Sequence, residues 1–216
     1  MNDDGQARPI RTATGSVKGK LLISGLAALL AVVPAEASSV EVDAREASAV
    51  IDIKHYQPLD DQSAFFVRHR RSVGYDGQTD AGLTLLHGYF TDSPLRPYVG
   101  LKFLGTGETV PRLGIQPTGR WEGGGGFLSI SYDMREGRGP DLEFLGNASR
   151  RFGDVHAELE VLANVSVDGT FHFAELRPRI GLQLSKDCMI GPSCDVRFDA
   201  RGKASYQPGV FARMNY

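Results

Sequence analysis

Residues 155–167 read V-H-A-E-L-E-V-L-A-N-V-S-V. Val155, Ala157, Leu159, Val161, Ala163, Val165 and Val167 share one parity, while His156, Glu158, Glu160, Asn164 and Ser166 share the other. Only Leu162 interrupts the polar face. A period of two held this long predicts a β-strand, and the run outlasts the usual soluble strand of about five or six residues. It matches a tilted strand crossing a bilayer, roughly 9–11 residues, with lipid on its apolar face and a polar lumen on the other. A long strand of a soluble sandwich or a lipocalin-like barrel carries the same alternation, because parity does not say which face is inside.

Composition fits either architecture and narrows the functions. The formal net charge of -2 across 216 residues, with 24 basic and 26 acidic side chains, gives no basic excess for nucleic acid and no charged tail. The slightly negative mean hydropathy is what a membrane barrel shows, since half of each strand faces water. No phosphate loop, dinucleotide fingerprint or metal-ligand cluster appears, so nothing calls for a cofactor. Gly123–Gly126 lacks the Lys and Ser/Thr of a phosphate loop and is expected to be a flexible turn opening the strand at Phe127.

The first segment has the layout of an exported protein. Arg8, Arg11, Lys18 and Lys20 precede the apolar run Leu21–Val33, and Ala35-Glu36-Ala37 supplies small residues where signal peptidase reads. Residues 1–37 are thus expected to be a signal peptide, with Ser38 following the cleavage point after Ala37; an uncleaved anchor is the alternative, weakened by the short core. Residues 38–62 read as a lead-in or first strand, and 63–216 as the barrel. Cys188 and Cys194 enclose M-I-G-P-S, where Gly191 and Pro192 suggest a turn, so a loop-stiffening disulfide is expected in an oxidising compartment.

From residue 63 onward, alternating segments recur between Gly, Pro, Asp and Asn clusters. Candidates are 64–75, 82–90, 96–104, 127–135, 141–151, 155–167, 171–184, 195–200 and 206–216, about nine strands by this pattern. Phe171 and Phe173 are out of parity with the end of their segment, which requires a bulge or turn near Ala174. Asp168-Gly169 is a tight hairpin signal, and Gly153-Asp154 is a second. Gly105–Gly126 reads as a long glycine-rich loop, so tight turns are expected at one end and longer loops at the other. Tyr75, Tyr89, Phe90, Tyr98, Tyr132, Phe152, Tyr206 and Tyr216 fall toward strand ends, where aromatic girdles sit.

The chain ends on Val210, Ala212, Met214 and Tyr216 alternating with Phe211, Arg213 and Asn215. This amphipathic ending on an aromatic residue resembles the C-terminal signature of bacterial outer-membrane β-barrel proteins. The departures are the small Ala212 and the presence of Pro208. The resemblance covers only these last residues; it implies recognition of Val210, Met214 and Tyr216 by the barrel-assembly machinery, and contact with outer-membrane lipid. Its specific family stays open.

The fold expected is an all-β, antiparallel, up-and-down transmembrane barrel of about eight to ten strands, with an interior that side chains can fill. The lumen parity supplies Arg68, Arg70, Lys102, Asp133, Arg135, Glu143, Glu158, Glu160, Arg177, Arg179, Arg197, Asp199 and Arg213. With both signs available, Arg135, Glu158, Glu160, Arg177 and Arg179 are expected in an internal charge network. The leading function is structural or surface-interaction work, with longer loops outside and a largely plugged interior. A narrow channel for small solutes or ions is an alternative, as is a soluble secreted ligand-binding barrel. A lipid-acting enzyme is the remaining one, using Ser166 with His156 or His172 and an acidic partner; no lipase spacing accompanies those residues. Oligomeric state is not legible.

Overall fold

The computed structural model describes residues 38–78, 82–135, 137 and 139–216. In chain order the strands are β1 (Ser39–Arg45), β2 (Ser48–Pro58), β3 (Ser63–Gly74), β4 (Leu83–Phe90), β5 (Pro97–Leu104), β6 (Thr109–Ile115), β7 (Thr118–Trp121), β8 (Gly124–Asp133), β9 (Asp141–Phe152), β10 (Val155–Ser166), β11 (Phe171–Gln183), β12 (Cys188–Phe198) and β13 (Ala204–Asn215). Each pairs antiparallel with its neighbours, and β1 closes the ring on β13. The strands β6 and β7 both pair with β8 and form one stave interrupted at Gln116-Pro117, so the closed barrel has twelve strands. Proline has no N–H to give the ladder, which explains the interruption.

The barrel is inside out relative to a soluble one. On β10, Leu159 is 42 % exposed on the outer wall while Glu160 is 2 % exposed in the lumen. On β11, Ile180 is 56 % exposed and Arg179 only 3 %. Leu128, Tyr132, Leu182, Val210 and Met214 are likewise exposed, whereas Asp52, Arg68, Lys102, Asp133 and Asp195 are buried. A soluble ligand-binding barrel would turn its apolar faces inward, so this arrangement selects the lipid-facing alternative.

Twelve strands rather than eight to ten result from three segments that the reading of the sequence does not count as separate strands. Residues 38–62 hold β1 and β2, with no separate lead-in. Within Gly105–Gly126, expected as a loop, β6 and β7 form a stave and the glycine run begins β8. Trp121 lies over the outer face of that run; a Cβ at Gly126 would meet its ring at 3.0 Å. The glycines thus provide a shelf for an indole in place of flexibility.

Connections are short at both ends. At the end carrying the chain termini they are 59–62, 91–96, 122–123, 153–154 and 184–187; at the far end they are 46–47, 75–82, 105–108, 134–140, 167–170 and 199–203. Among the described residues no long outer loop of the expected kind is present, and the expected loop Gly105–Gly126 holds strands instead. Both hairpin signals are turns, with Gly153 and Gly169 at φ of 61° and 90°. At the second, Asp168 accepts the Thr170 backbone N–H at 2.9 Å, which holds its carboxyl below the usual range. The bulge falls at His172, two residues before Ala174, where Asn164 pairs with Phe173 but Val165 with Phe171. Of the expected girdle, Tyr75, Phe90, Tyr132, Phe152 and Tyr206 are exposed, while Tyr89 and Tyr98 turn into the lumen.

The expected disulfide is not formed. Cys188 and Cys194 are free and sit on one continuous strand, β12, opposite Met214 and Pro208. At about 3.3 Å per residue their Cα atoms stand roughly 20 Å apart, far beyond the ~7 Å limit for a bridge. Gly191 and Pro192 are ladder positions rather than a turn. Both thiols of the denatured protein should therefore alkylate without prior reduction. Intact-mass measurement checks this, and alkylation only after reduction would contradict the fold at β12. Residues 1–37, expected from the sequence to be a signal peptide, lie outside the described residues.

Candidate functional site

The inward faces of the strands carry a network of ion pairs from one end of the lumen to the other. Among the described residues every buried acidic side chain has a basic partner. Nearest the termini, Glu41 on β1 pairs with Arg179 at 2.9 Å and with Arg213 at 2.5 Å, and Glu158 on β10 with Arg213 at 2.6 Å and Arg179 at 3.4 Å. Phe211 lies beneath both guanidiniums, at 6.0 Å from Arg179 and 5.7 Å from Arg213, an arrangement that suits weakly hydrated Arg cations.

At mid-height the two walls meet. Arg68 on β3 grips Asp52 on β2 through Nε at 2.9 and 3.1 Å and through Nη2 at 2.5 Å. The same Nη2 reaches Glu160 on β10 at 3.0 Å. From β3 the wall leads to β10 through β2, β1, β13, β12 and β11 one way, and through β4, β5, the β6/β7 stave, β8 and β9 the other. The routes are equal, so Arg68 and Glu160 span a diameter. Glu160 is also bound by Arg177, directly opposite it on β11. Lys54 stands 3.7 Å from both Asp52 and Glu160.

Above this waist, toward the far end, Asp195 on β12 collects Arg45 at 2.6 Å, Arg70 at 3.3 Å and Arg177 at 3.4 Å. A cavity of about 330 Å³ opens there, lined among others by Arg45, Arg70, Arg71, Arg197, Glu175 and Asp195. Arg197 lies over the Phe173 ring at 4.9 Å. The mouth is therefore polar and weighted toward positive charge.

The side of the lumen between β4 and β9 is filled differently. Lys102 on β5 bonds Asp133 at 3.1 Å and also Glu143, and Arg112 bonds Glu143 at 2.7 Å and Asp133 at 3.1 Å. Below them the His87 ring stacks on Tyr98 at 4.4 Å. His87 Nδ1 meets Tyr89 at 3.0 Å, and Tyr89 donates to Gln116 at 2.7 Å. Gly100 lies between His87 and Arg112 in the ladder, and any Cβ there would collide with the imidazole. Aromatic rings thus close this side.

The residues expected to form a charge network occupy two places, and Asp199, expected in the lumen, occupies a third. Glu158, Glu160, Arg177 and Arg179 join the ladder just described. Arg135 stands at the far rim, paired with Asp141 at 2.9 Å and Glu108 at 3.3 Å. Asp199 leaves the lumen and accepts backbone N–H groups of the 199–203 turn. Sequence reasoning missed Glu41, Asp43, Arg45, Asp52 and Lys54, although V-E-V-D-A-R and V-I-D-I-K alternate as clearly as later strands; their segments are short and lack flanking turn signals. At the C-terminus, Val210 and Met214 face outward, and Tyr216 exchanges backbone hydrogen bonds with Ser38.

The hydrolase candidates are only partly brought together. Ser166 Oγ lies 2.7 Å from His172 Nε2, but Asp141 Oδ1 approaches that same nitrogen at 3.4 Å and accepts from Ser166 at 3.2 Å. In a catalytic triad the acid holds the other imidazole nitrogen. Ser166 instead bridges the other two, with its proton directed at the carboxylate and its oxygen against the imidazole. His156 sits at the opposite end of β10, across from Arg151 and Gly181.

No protein-family model matches the chain, and no curated protein does. Among solved structures, a KdgM porin is similar at 10 % identity and a TM-score of 0.53, covering 84 % of this chain and 99 % of its own. The KdgM porin in complex with disordered oligogalacturonate gives 10 % identity and a TM-score of 0.52 over the same shares. At such identity the likeness is one of fold, and this chain has a porin-like, closed antiparallel β-barrel fold.

Proposed function

We propose that the protein is an outer-membrane barrel acting as a narrow, charge-lined channel with a preference for anionic solutes. The observation that carries this reading is the far-end cavity, lined by Arg45, Arg70, Arg71 and Arg197 and leading to a waist crossed by side chains alone. No strand, helix or loop obstructs the lumen among the described residues. Twelve strands also give a wider ring than the eight that side chains readily fill. The short connections leave little for a surface-interaction role to work with.

In this reading residues 1–37 direct export and are removed between Ala37 and Ser38. The termini then face the periplasm and the arginine mouth faces outside. The outward Val210 and Met214, with terminal Tyr216, present the assembly signature, and the exposed apolar belt meets lipid. The KdgM complex suggests an acidic oligosaccharide as the first solute to try.

The test is purified full-length barrel in a planar bilayer under a KCl gradient. Arg197, whose guanidinium packs over Phe173, is the position to neutralise. A conducting wild type with anion preference, reduced in Arg197→Gln, supports the proposal. A folded wild type that passes no current, or one whose selectivity ignores Arg197, overturns it.

A further inference from the structure

Most lumen ion pairs join strands on one side of the barrel, but the Arg68–Glu160 contact joins opposite walls, and each wall is complete without it. On one wall, Asp52 takes all three of Arg68's remaining hydrogen bonds. On the other, Glu160 keeps Arg177, which also binds Glu175 through Nε at 2.7 Å. We infer that Arg68 and Glu160 are the latch of the channel: Arg68 Nη2 donates across the waist to both Glu160 oxygens, at 3.0 and 3.1 Å, beside the longer 3.7 Å approach of Lys54 to the same carboxylate, and release of the Arg68 contact opens the path while both side chains stay paired. This inference rests on the channel reading above.

The physical basis is the difference between removing a buried charge's partner and exchanging it. An ion left alone in a low-dielectric lumen is costly, and that cost ordinarily locks buried pairs shut. Here neither Arg68 nor Glu160 is left alone. Lys54 can follow Asp52, from which it is already 3.7 Å away. Arg70, the next cation up β3, also reaches across, 3.3 Å from Asp195 and 3.8 Å from Glu175. Its side chain borders the water-accessible cavity, while Asp195 retains Arg45 and Arg177. Two discrete arrangements of comparable energy are what a gate requires.

Two substitutions separate the latch from a simple charge effect. Glu160→Gln removes the acceptor charge and raises the lumen's net charge. Arg68→Lys keeps every charge but replaces a planar fork, able to hold Asp52 and Glu160 at once, with a shorter chain and a single ammonium. Both should increase the occupancy of the conducting state by roughly tenfold, the scale of one lost charge-assisted hydrogen bond. Selectivity should stay unchanged in Arg68→Lys.

The experiment is single-channel recording of wild type and both variants, each first shown to be folded by heat-dependent gel mobility. Raised occupancy in both variants supports the latch. Should Glu160→Gln fail to fold, Arg68→Lys alone decides. If the wild type conducts and the folded variants match it, or if only selectivity changes in Glu160→Gln, the latch is wrong and the channel reading stands. If all three are folded and silent, the channel reading falls and takes the latch with it.

Discussion

Arg177→Met should lower the stability of the folded barrel by about 3–5 kcal/mol, the range for breaking a buried ion network on one side only. Arg177 is the hub of the lumen. It donates through Nε to Glu175 at 2.7 Å, through Nη1 to Glu160, and lies 3.4 Å from Asp195. Its loss leaves Glu160 with Arg68 and Lys54, and Glu175 with Arg70 at 3.8 Å. Three carboxylates then share fewer cations, and Glu160, only 2 % exposed, is the one that solvent reaches least. Methionine fills the volume of the arginine stem, so the measured loss reports charge rather than a cavity.

Trp121 makes the measurement direct. It is the only tryptophan of the chain, it lies on the outer wall over the β8 glycines, and it is remote from Arg177. A lower urea midpoint for refolded Arg177→Met, followed by Trp121 emission in lipid vesicles, is the expected result. A midpoint equal to wild type would mean that water or the other cations compensate fully, and that the network is not what organises the lumen.

Leu159→Arg should cost about 2–4 kcal/mol in a bilayer, the range for a cation placed near mid-depth on the lipid face of a barrel. Leu159 is on the outer wall of β10, flanked across the ladder by Ala148 and Pro178. Neither neighbour offers a counter-charge. The folded, heat-shifted band should fall in yield in vesicles, with a reduced urea midpoint for the fraction that inserts. On a water-soluble barrel the same exposed position would accept arginine almost freely. A variant that folds and titrates like wild type would therefore overturn the membrane orientation of the wall, and with it the basis for calling the lumen a path.

Buried ion pairs are weak evidence for stability, because desolvation consumes much of their attraction. What this network secures is geometry. Glu158 and Glu160 could each pair on either side of their strand, yet Glu158 takes Arg213 and Arg179 while Glu160 takes Arg177 and Arg68. The two glutamates thus divide the lumen into successive levels. The aromatic side follows another rule, in which Gly100 gives up its side chain so that the His87 ring can lie against the wall.

Where strands ran long and turns were sharp, the fold was legible in the residues. The parity of 155–167 and the Asp168-Gly169 and Gly153-Asp154 turns describe β9 to β11 almost as they stand. Where the pattern was short or dominated by glycine, it was not. Gly124, Gly125 and Gly126 form strand because Arg150, Ser149 and Ala148 pair with them from β9, a partner the local sequence does not announce. The cysteines misled for the opposite reason: Gly191 and Pro192 are turn formers by propensity, but pairing with Phe211 and Val210 of β13 holds them extended.

The amino-acid order by itself determined which side chains travel together, since a strand's period of two assigns every residue to one of two faces wherever the strand is placed. Only the tertiary structure decided which face is the inside, how many staves close the ring, and that Arg68 meets Glu160. Those two residues are 92 positions apart. Their contact exists because closure of the ring sets β3 opposite β10, and the diameter of a barrel is a property of the whole circuit of hydrogen bonds that no single strand encodes.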